Sequence, residues 1–158
     1  MHATIDRDPG TMDRMRAPLL WLVLIGILGL VAELLLMEHY DSRTQIIPLG
    51  VLGLGLLAWI ALIWLPTRTT IRVFQAVMGA FVLAGLVGLW LHYQGNASFE
   101  LEIAPSRRGF SLIWMALRGA VPTLAPGALV QLGLLGLLCG HRHPALRPGA
   151  STTKGEER

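Results

Sequence analysis

Apolar residues in this chain come in long runs separated by short polar breaks, rather than scattered at the spacing of a water-soluble helix or strand. A helix rising about 1.5 Å per residue needs roughly 20 apolar residues to cross about 30 Å of hydrocarbon. Four runs meet or approach that length. The first, 17–37, is interrupted only by Glu33. The second, 46–65, has Pro48 near its start and Pro66 just past its end, with Gly50, Gly53, Gly55 and Trp59 inside. The third, 71–91, opens with Arg72 and Gln75 and is then unbroken through Trp90. The fourth, 124–140, carries Gln131 and several glycines and lies near the lower limit of about 17 residues. Pro126 suits its first turn, where a missing N–H costs nothing.

The remaining sizeable segment, 92–123, divides in two. NASFELEIAP at 96–105 alternates Phe99, Leu101 and Ile103 with Ser98, Glu100 and Glu102, which predicts a short extended piece. SRRGFSLIWMALRGAVP at 106–122 predicts a helix of about three turns, with Arg107, Arg108 and Arg118 at its ends and Trp114 central. Too short to span, it is expected to lie in the outer headgroup layer or fold over the mouth of the bundle. The expected fold is therefore all-α: a polytopic integral membrane protein, a four-transmembrane-helix bundle with a short interfacial helix in its third, outer loop. It is preceded by an N-terminal segment, 1–16, and followed by a disordered Pro/Gly/Ser/Thr-rich tail within 141–158. The first run is expected to be retained rather than cleaved as a signal peptide. It exceeds a signal core of about 7 to 15 residues, and no small-x-small pattern precedes EHYD at 38–41.

Composition sharpens this picture. Of 158 residues, 53% are hydrophobic and only 15% charged, against roughly 25% charged in soluble domains, so a water-soluble globule is excluded. The single cysteine, Cys139, excludes an intrachain disulfide and any multi-cysteine metal centre. The net charge of +3 comes from basic residues dispersed among loops, which argues against nucleic acid as a partner.

Those basic residues set an orientation. Arg7, Arg14, Arg16, Arg68, Arg72, Arg142, Arg147, Lys154 and Arg158 make nine on one side, against four, Arg43, Arg107, Arg108 and Arg118, on the other. The positive-inside bias then puts both termini in the cytoplasm, in the cell's inner membrane. Trp21, Trp64 and Phe74 on the inner side, and Tyr40, Trp90 and Tyr93 on the outer, are expected to form interfacial belts.

Eighteen glycines are expected to serve close helix approach in lipid. Ala80, Ala84 and Gly88 form two small-xxx-small steps, and Gly136 with Gly140 forms another. Gly26, Gly29 and Glu33 share a spacing with Gly85, Gly88 and His92, which places glycine, glycine and a polar group on one helical face in each span.

Glu33 is the foremost candidate for chemistry, because an ionisable side chain within a span costs roughly 2.5 to 3.5 kcal/mol at mid-bilayer. It stands about 24 Å along the first span, in the outer part of the core. A proton or cation site at Glu33 and His92 is one reading; a snorkelling or structurally paired carboxylate is the other. His39, His92, Glu38 and Asp41, near the same mouth, are candidate ligands for a divalent metal, although no pair has a spacing such as HExxH. His141 and His143 flank Arg142 at the end of the fourth span, where helix C-terminal carbonyls attract such side chains. Gln131 is expected to hydrogen-bond across the bundle, and Asn96-Ala97-Ser98 matches the glycosylation pattern.

No GxSxG elbow, no P-loop and no GxGxxG opening a helix after a strand is present, so the expectation is a protein that is not an enzyme and holds no cofactor. The pieces EHYD, WLHYQGN, FELE and LAPGALVQLGLLGLL resemble segments of small bacterial membrane proteins of unassigned function, which implies no activity. The leading expectation is a structural or accessory component of a membrane complex, with the lipid bilayer and a homo-oligomer or larger assembly as its partners. The alternatives are a small transporter or ion-conducting subunit using Glu33 and His92, and metal binding at the outer face.

Overall fold

Prolines and short polar caps set the element boundaries. The computed structural model describes residues 11–146, with side-chain burial from residue 13; the expectations for 1–10 and for the tail after 146 lie outside the described residues. Helix α1 runs Thr11–Leu36. Helix α2, Arg43–Trp64, starts at a reciprocal cap: the Ser42 hydroxyl accepts from the Gln45 N–H while the Gln45 side chain accepts from the Ser42 N–H. It stops short of Pro66, as a residue before proline disfavours helical backbone. Thr67 and Thr70 cap the next helix in the same reciprocal way. Helix α3 is Arg68–Ile103, helix α4 Gly109–Leu117 and helix α5 Gly127–Gly140, followed by a single 3-10 turn at Pro144–Leu146. No strand occurs among the described residues.

Three of these helices, α1, α2 and α3, are long and apolar enough to cross a membrane, whereas α5 is apolar but only 14 residues long. The chain is thus an all-helical membrane protein. At 36 residues α3 extends about 54 Å, far more than a bilayer core requires, so its last turns overhang the 71–91 span.

This overhang corrects the extended reading of 96–105. The alternation there spans only three apolar residues, and a helix that already exists adds residues without a new nucleation cost. The same residues also satisfy the helical period: Asn96 and Glu100 are buried one turn apart, while Phe99 and Ile103 are exposed one turn apart. Pro105 ends the run.

The four long elements form a ring in which α1 packs on α2 and α5, and α3 packs on α2 and α5, leaving α1 opposite α3. The core comprises Val23 and Ile27 of α1, Leu52 and Trp59 of α2, Phe74, Met78 and Phe81 of α3, and Leu129 and Leu132 of α5. The Trp59 indole N–H donates to the Leu20 carbonyl at 2.8 Å, satisfying its polar edge in an apolar interface. Phe74 is fully buried in this core, so it is not part of an inner aromatic belt. Trp21, Trp64, Tyr40 and Trp90 are exposed, and Trp90 stacks on Tyr93 with centroids 6.0 Å apart.

The antiparallel α3 and α5 approach most closely, through glycines. Gly133 meets the Met78 carbonyl and Val82, Gly85 meets Val130 and the Pro126 carbonyl, Gly136 meets the Met78 side chain, Gly88 meets Pro126, and Gly140 meets Gln75. Gly26 brings α1 onto Leu132 of α5. Two expected packing positions differ. Gly29 has open space where a Cβ would stand, and Ala80 is exposed, while Ala84 is partly buried against the core. The buried stripe of α3 follows Phe74, Met78, Phe81 and Gly85, and Ala80 lies on the neighbouring face.

The free carbonyls at the C-terminus of α5 are met by partners from other helices, as an apolar environment demands. Arg16 of α1 donates to the carbonyls of Cys139 at 2.7 Å and Arg142 at 3.0 Å, and Gln75 of α3 donates to that of Gly140 at 3.0 Å. Asp13 holds the Arg16 Nε at 2.9 Å. The start of α1 and the end of α5 therefore share one end of the bundle.

Candidate functional site

At the opposite end, α5 has not yet begun, and its place opposite α2 is taken by the non-helical segment before Gly127. A half-open cavity of about 630 Å³ results, walled by α1, the start of α2, α3 and residues 121–129. Its inner part is apolar, with Leu30, Ala84 and Leu129 among the lining residues; its rim carries Glu33, His39, Ser42, Thr44, Gln45 and His92. One turn beneath Leu30, Ala84 and Leu129, the side chains of Ile27 and Phe81 close on Gly55 while that of Leu132 packs against Gly26. The cavity is thus blind at its inner end.

Backbone geometry delivers His39 to this rim. Helix α1 ends in a double turn in which the His39 N–H reaches the Leu34 carbonyl at 2.9 Å and the Glu38 N–H reaches that of Leu35 at 3.1 Å. This is the Schellman pattern, which needs a left-handed residue; Glu38 supplies it at φ 53°. The turn sets the His39 ring 6.4 Å from the ring of His92, edge to face.

His92 stands at the first turn of the α3 overhang. Its Nδ1 lies 3.0 Å from the Pro122 carbonyl. A carbonyl only accepts, so Nδ1 carries the proton, and Nε2 of a neutral ring is the free acceptor. Glu33 is exposed and faces the cavity, together with His92. The two candidates for a proton or cation site therefore meet at one rim. The proposed metal ligands do not assemble: among the described residues no three of His, Cys, Asp or Glu converge, and Glu38 and Asp41 are exposed on the connecting turn. Gln131 is exposed on α5 rather than turned across the bundle.

Beyond the rim, the overhang of α3 and α4 form a platform. Its centre is Asn96, 3% exposed. Its amide nitrogen lies within hydrogen-bond distance of the carbonyls of Ala116 and Val121 and of the Thr123 hydroxyl, at 2.7 to 2.9 Å, and its oxygen accepts from the Val121 N–H at 3.2 Å. Gly119 packs directly against the Asn96 amide, leaving no room for a Cβ. This one side chain stitches the end of α4 and the turn into α5 onto α3. Glu100 and Arg107 form an ion pair across the bend. The platform leaves apolar side chains uncovered: Phe99 and Ile103 on α3, and Phe110, Ile113 and Trp114 on α4, with Phe110 stacked on Trp114 at 6.3 Å.

Asn96 was visible in the sequence only as a glycosylation pattern, and its burial removes it as an acceptor. The signal for its real role is a carboxamide one helical turn from Glu100, a spacing that places both on one helical face. Arg16 was legible only as a positive-inside charge.

At the other end, His141 caps α5, and His143 accepts from the Ala145 N–H at 3.2 Å. Partial burial and then the Arg16 charge hold the proton affinity of His143 below its ordinary value, with Asp13 acting in the opposite sense.

Comparison with protein families, curated proteins and solved structures finds no match to this chain.

Proposed function

We propose that this is a non-enzymatic membrane protein that crosses the bilayer four times, with α1, α2, α3 and α5, both termini cytoplasmic, and that it serves as a structural or accessory component of a membrane complex. The observation that carries this reading is the platform outside the apolar spans, rigidly built on Asn96 yet presenting Phe99, Phe110 and Trp114 to its surroundings. Aromatic side chains on a fixed scaffold are what recognition surfaces use. The fourth crossing is supported by the bonds of Arg16 to the end of α5, which bring the start of α1 and the end of α5 to the same end of the bundle. It is supported also by the 121–126 segment, whose irregular backbone lines a cavity and is met by His92 and Asn96, as such backbone at membrane depth must be.

Photo-crosslinking residues placed at Phe110 and Trp114 in native membranes should each give a discrete protein adduct, and one at Trp64 should give none. A monodisperse monomer in mild detergent, with only lipid adducts at Phe110 and Trp114, would overturn the proposal.

A proton or cation site at Glu33 and His92 is a second reading, favoured by their shared rim. It requires the layer of Ile27, Gly55, Phe81 and Leu132 to open. Glu33→Gln should then abolish flux in reconstituted vesicles without unfolding the protein; unchanged flux rejects it.

A further inference from the structure

The cavity is far larger than an ion needs, and its polarity is segregated along its length. On α3 its lining extends from Leu83 to Gly95, about 18 Å of helix. Its buried and half-buried lining includes Leu30, Ala84 and Leu129, whereas its polar lining side chains belong to the end of α1, the turn after it, the start of α2 and His92 of α3. A volume of about 630 Å³ is within the range of pockets that enclose a whole organic ligand, roughly 300 to 1,000 Å³. An apolar slot with one polar end matches an amphiphile, whose chain excludes water from the blind end while its head stays at the rim.

The rim also specifies the sign of that head. Among the described residues that line the cavity, Glu33 alone carries a formal charge at neutral pH when the histidines are neutral. It stands above apolar walls, where a carboxylate is costly unless a cation meets it. The hydroxyls of Ser42 and Thr44 and the Gln45 amide line the same cavity at the first turn of α2, where helix geometry favours an anionic group. A carboxylate beside a cluster of donors at a helix start is complementary to a headgroup that carries an ammonium and a phosphate together.

We propose that this cavity binds a membrane phospholipid of the zwitterionic, ammonium-bearing class, with an acyl chain between Leu30, Ala84 and Leu129 and the ammonium on Glu33. The site selects against anionic lipids, since their headgroups bring a negative charge to the same carboxylate.

Native mass spectrometry of the full chain, released from mild detergent with equimolar phosphatidylethanolamine and phosphatidylglycerol, tests this directly. The wild type should retain phosphatidylethanolamine over phosphatidylglycerol by about tenfold, the scale of one charge-assisted hydrogen bond. Glu33→Gln should erase that preference. Val87→Trp, which fills the slot, should lose both adducts while circular dichroism stays unchanged. Equal retention of the two lipids by the wild type, or a preference that survives Glu33→Gln, would overturn the proposal, and the Glu33→Gln arm decides it even if Val87→Trp fails to fold.

Discussion

The guanidinium of Arg16 donates to the carbonyl of Cys139 at 2.7 Å, joining residues 123 positions apart. The same group reaches the Arg142 carbonyl and is oriented by Asp13. An α5 of only 14 residues ends with carbonyls that no turn of its own can satisfy, so Arg16 completes a helix to which it does not belong. Arg16→Met should lower stability by about 2 kcal/mol, the scale of hydrogen bonds made by a charged donor. Arg16→Lys, with a point charge in place of a planar fork, should recover only part of it. Thermal unfolding in detergent measures both.

Asn96 should be the most sensitive polar position of the outer platform. Asn96→Ala removes the side-chain partner of the Val121 carbonyl and N–H, while the Thr123 hydroxyl still donates to the Ala116 carbonyl, at a cost of about 1 to 3 kcal/mol. Hydrogen exchange should quicken selectively over α4 and the turn into α5, while the α2 core stays protected. The same burial makes a second expectation: in a host that modifies Asn-x-Ser, no glycan mass should appear at Asn96. A glycan there would show that residues 96–123 are not folded as described.

Glu38 occupies the left-handed position that closes α1, a conformation that costs a side-chain-bearing residue about 1 to 2 kcal/mol and glycine almost nothing. Glu38→Gly should therefore stabilise the protein by about 1 kcal/mol without moving His39. A lower melting temperature would indicate a role for the carboxylate itself.

His143 gives an acid-side dependence whose sign follows from its environment. Its proton affinity is lowered in the folded protein, first by burial and then by Arg16, so folding favours the neutral ring. Above the ordinary histidine value, about 6.5, both folded and unfolded chains are neutral and this contribution is complete. As pH falls through that value the unfolded chain takes up the proton first, and stability declines until the folded ring also titrates. His143→Gln should accordingly narrow the difference in melting temperature between pH 7.5 and 5.5.

Much of the architecture was legible because span formation depends on a local property, apolar length. The runs at 17–37, 46–65 and 71–91 correspond to α1, α2 and α3, whose caps at Ser42 and Thr67 and stops at Pro66 and Pro105 are also local signals. The overhang of α3 was not legible, because Phe99, Leu101 and Ile103 fit a period of two as well as Asn96 and Glu100 fit a helix, and only packing against α4 decides between them. The glycine contacts at Gly85 and Gly133 depend on how α3 and α5 are rotated, which no spacing fixes, and Ala80 fell one face away. At the candidate site the sequence singled out Glu33, His39 and His92 but not the reason they converge. That reason is a late start to α5, which opens a cavity beside them.

Four crossings with the two ends on one side is the premise beneath every role assigned to the cavity rim and the platform, and the lone cysteine makes it directly measurable. In a Cys139→Ser background, an impermeant maleimide applied to intact cells should label Ser106→Cys in the bend before α4, and should label Thr70→Cys at the start of α3 only after lysis. A cysteine placed in the C-terminal tail should behave as Thr70→Cys does. If the tail cysteine instead labels in intact cells together with Ser106→Cys, α5 does not cross, and the outer and inner assignments made here are contradicted.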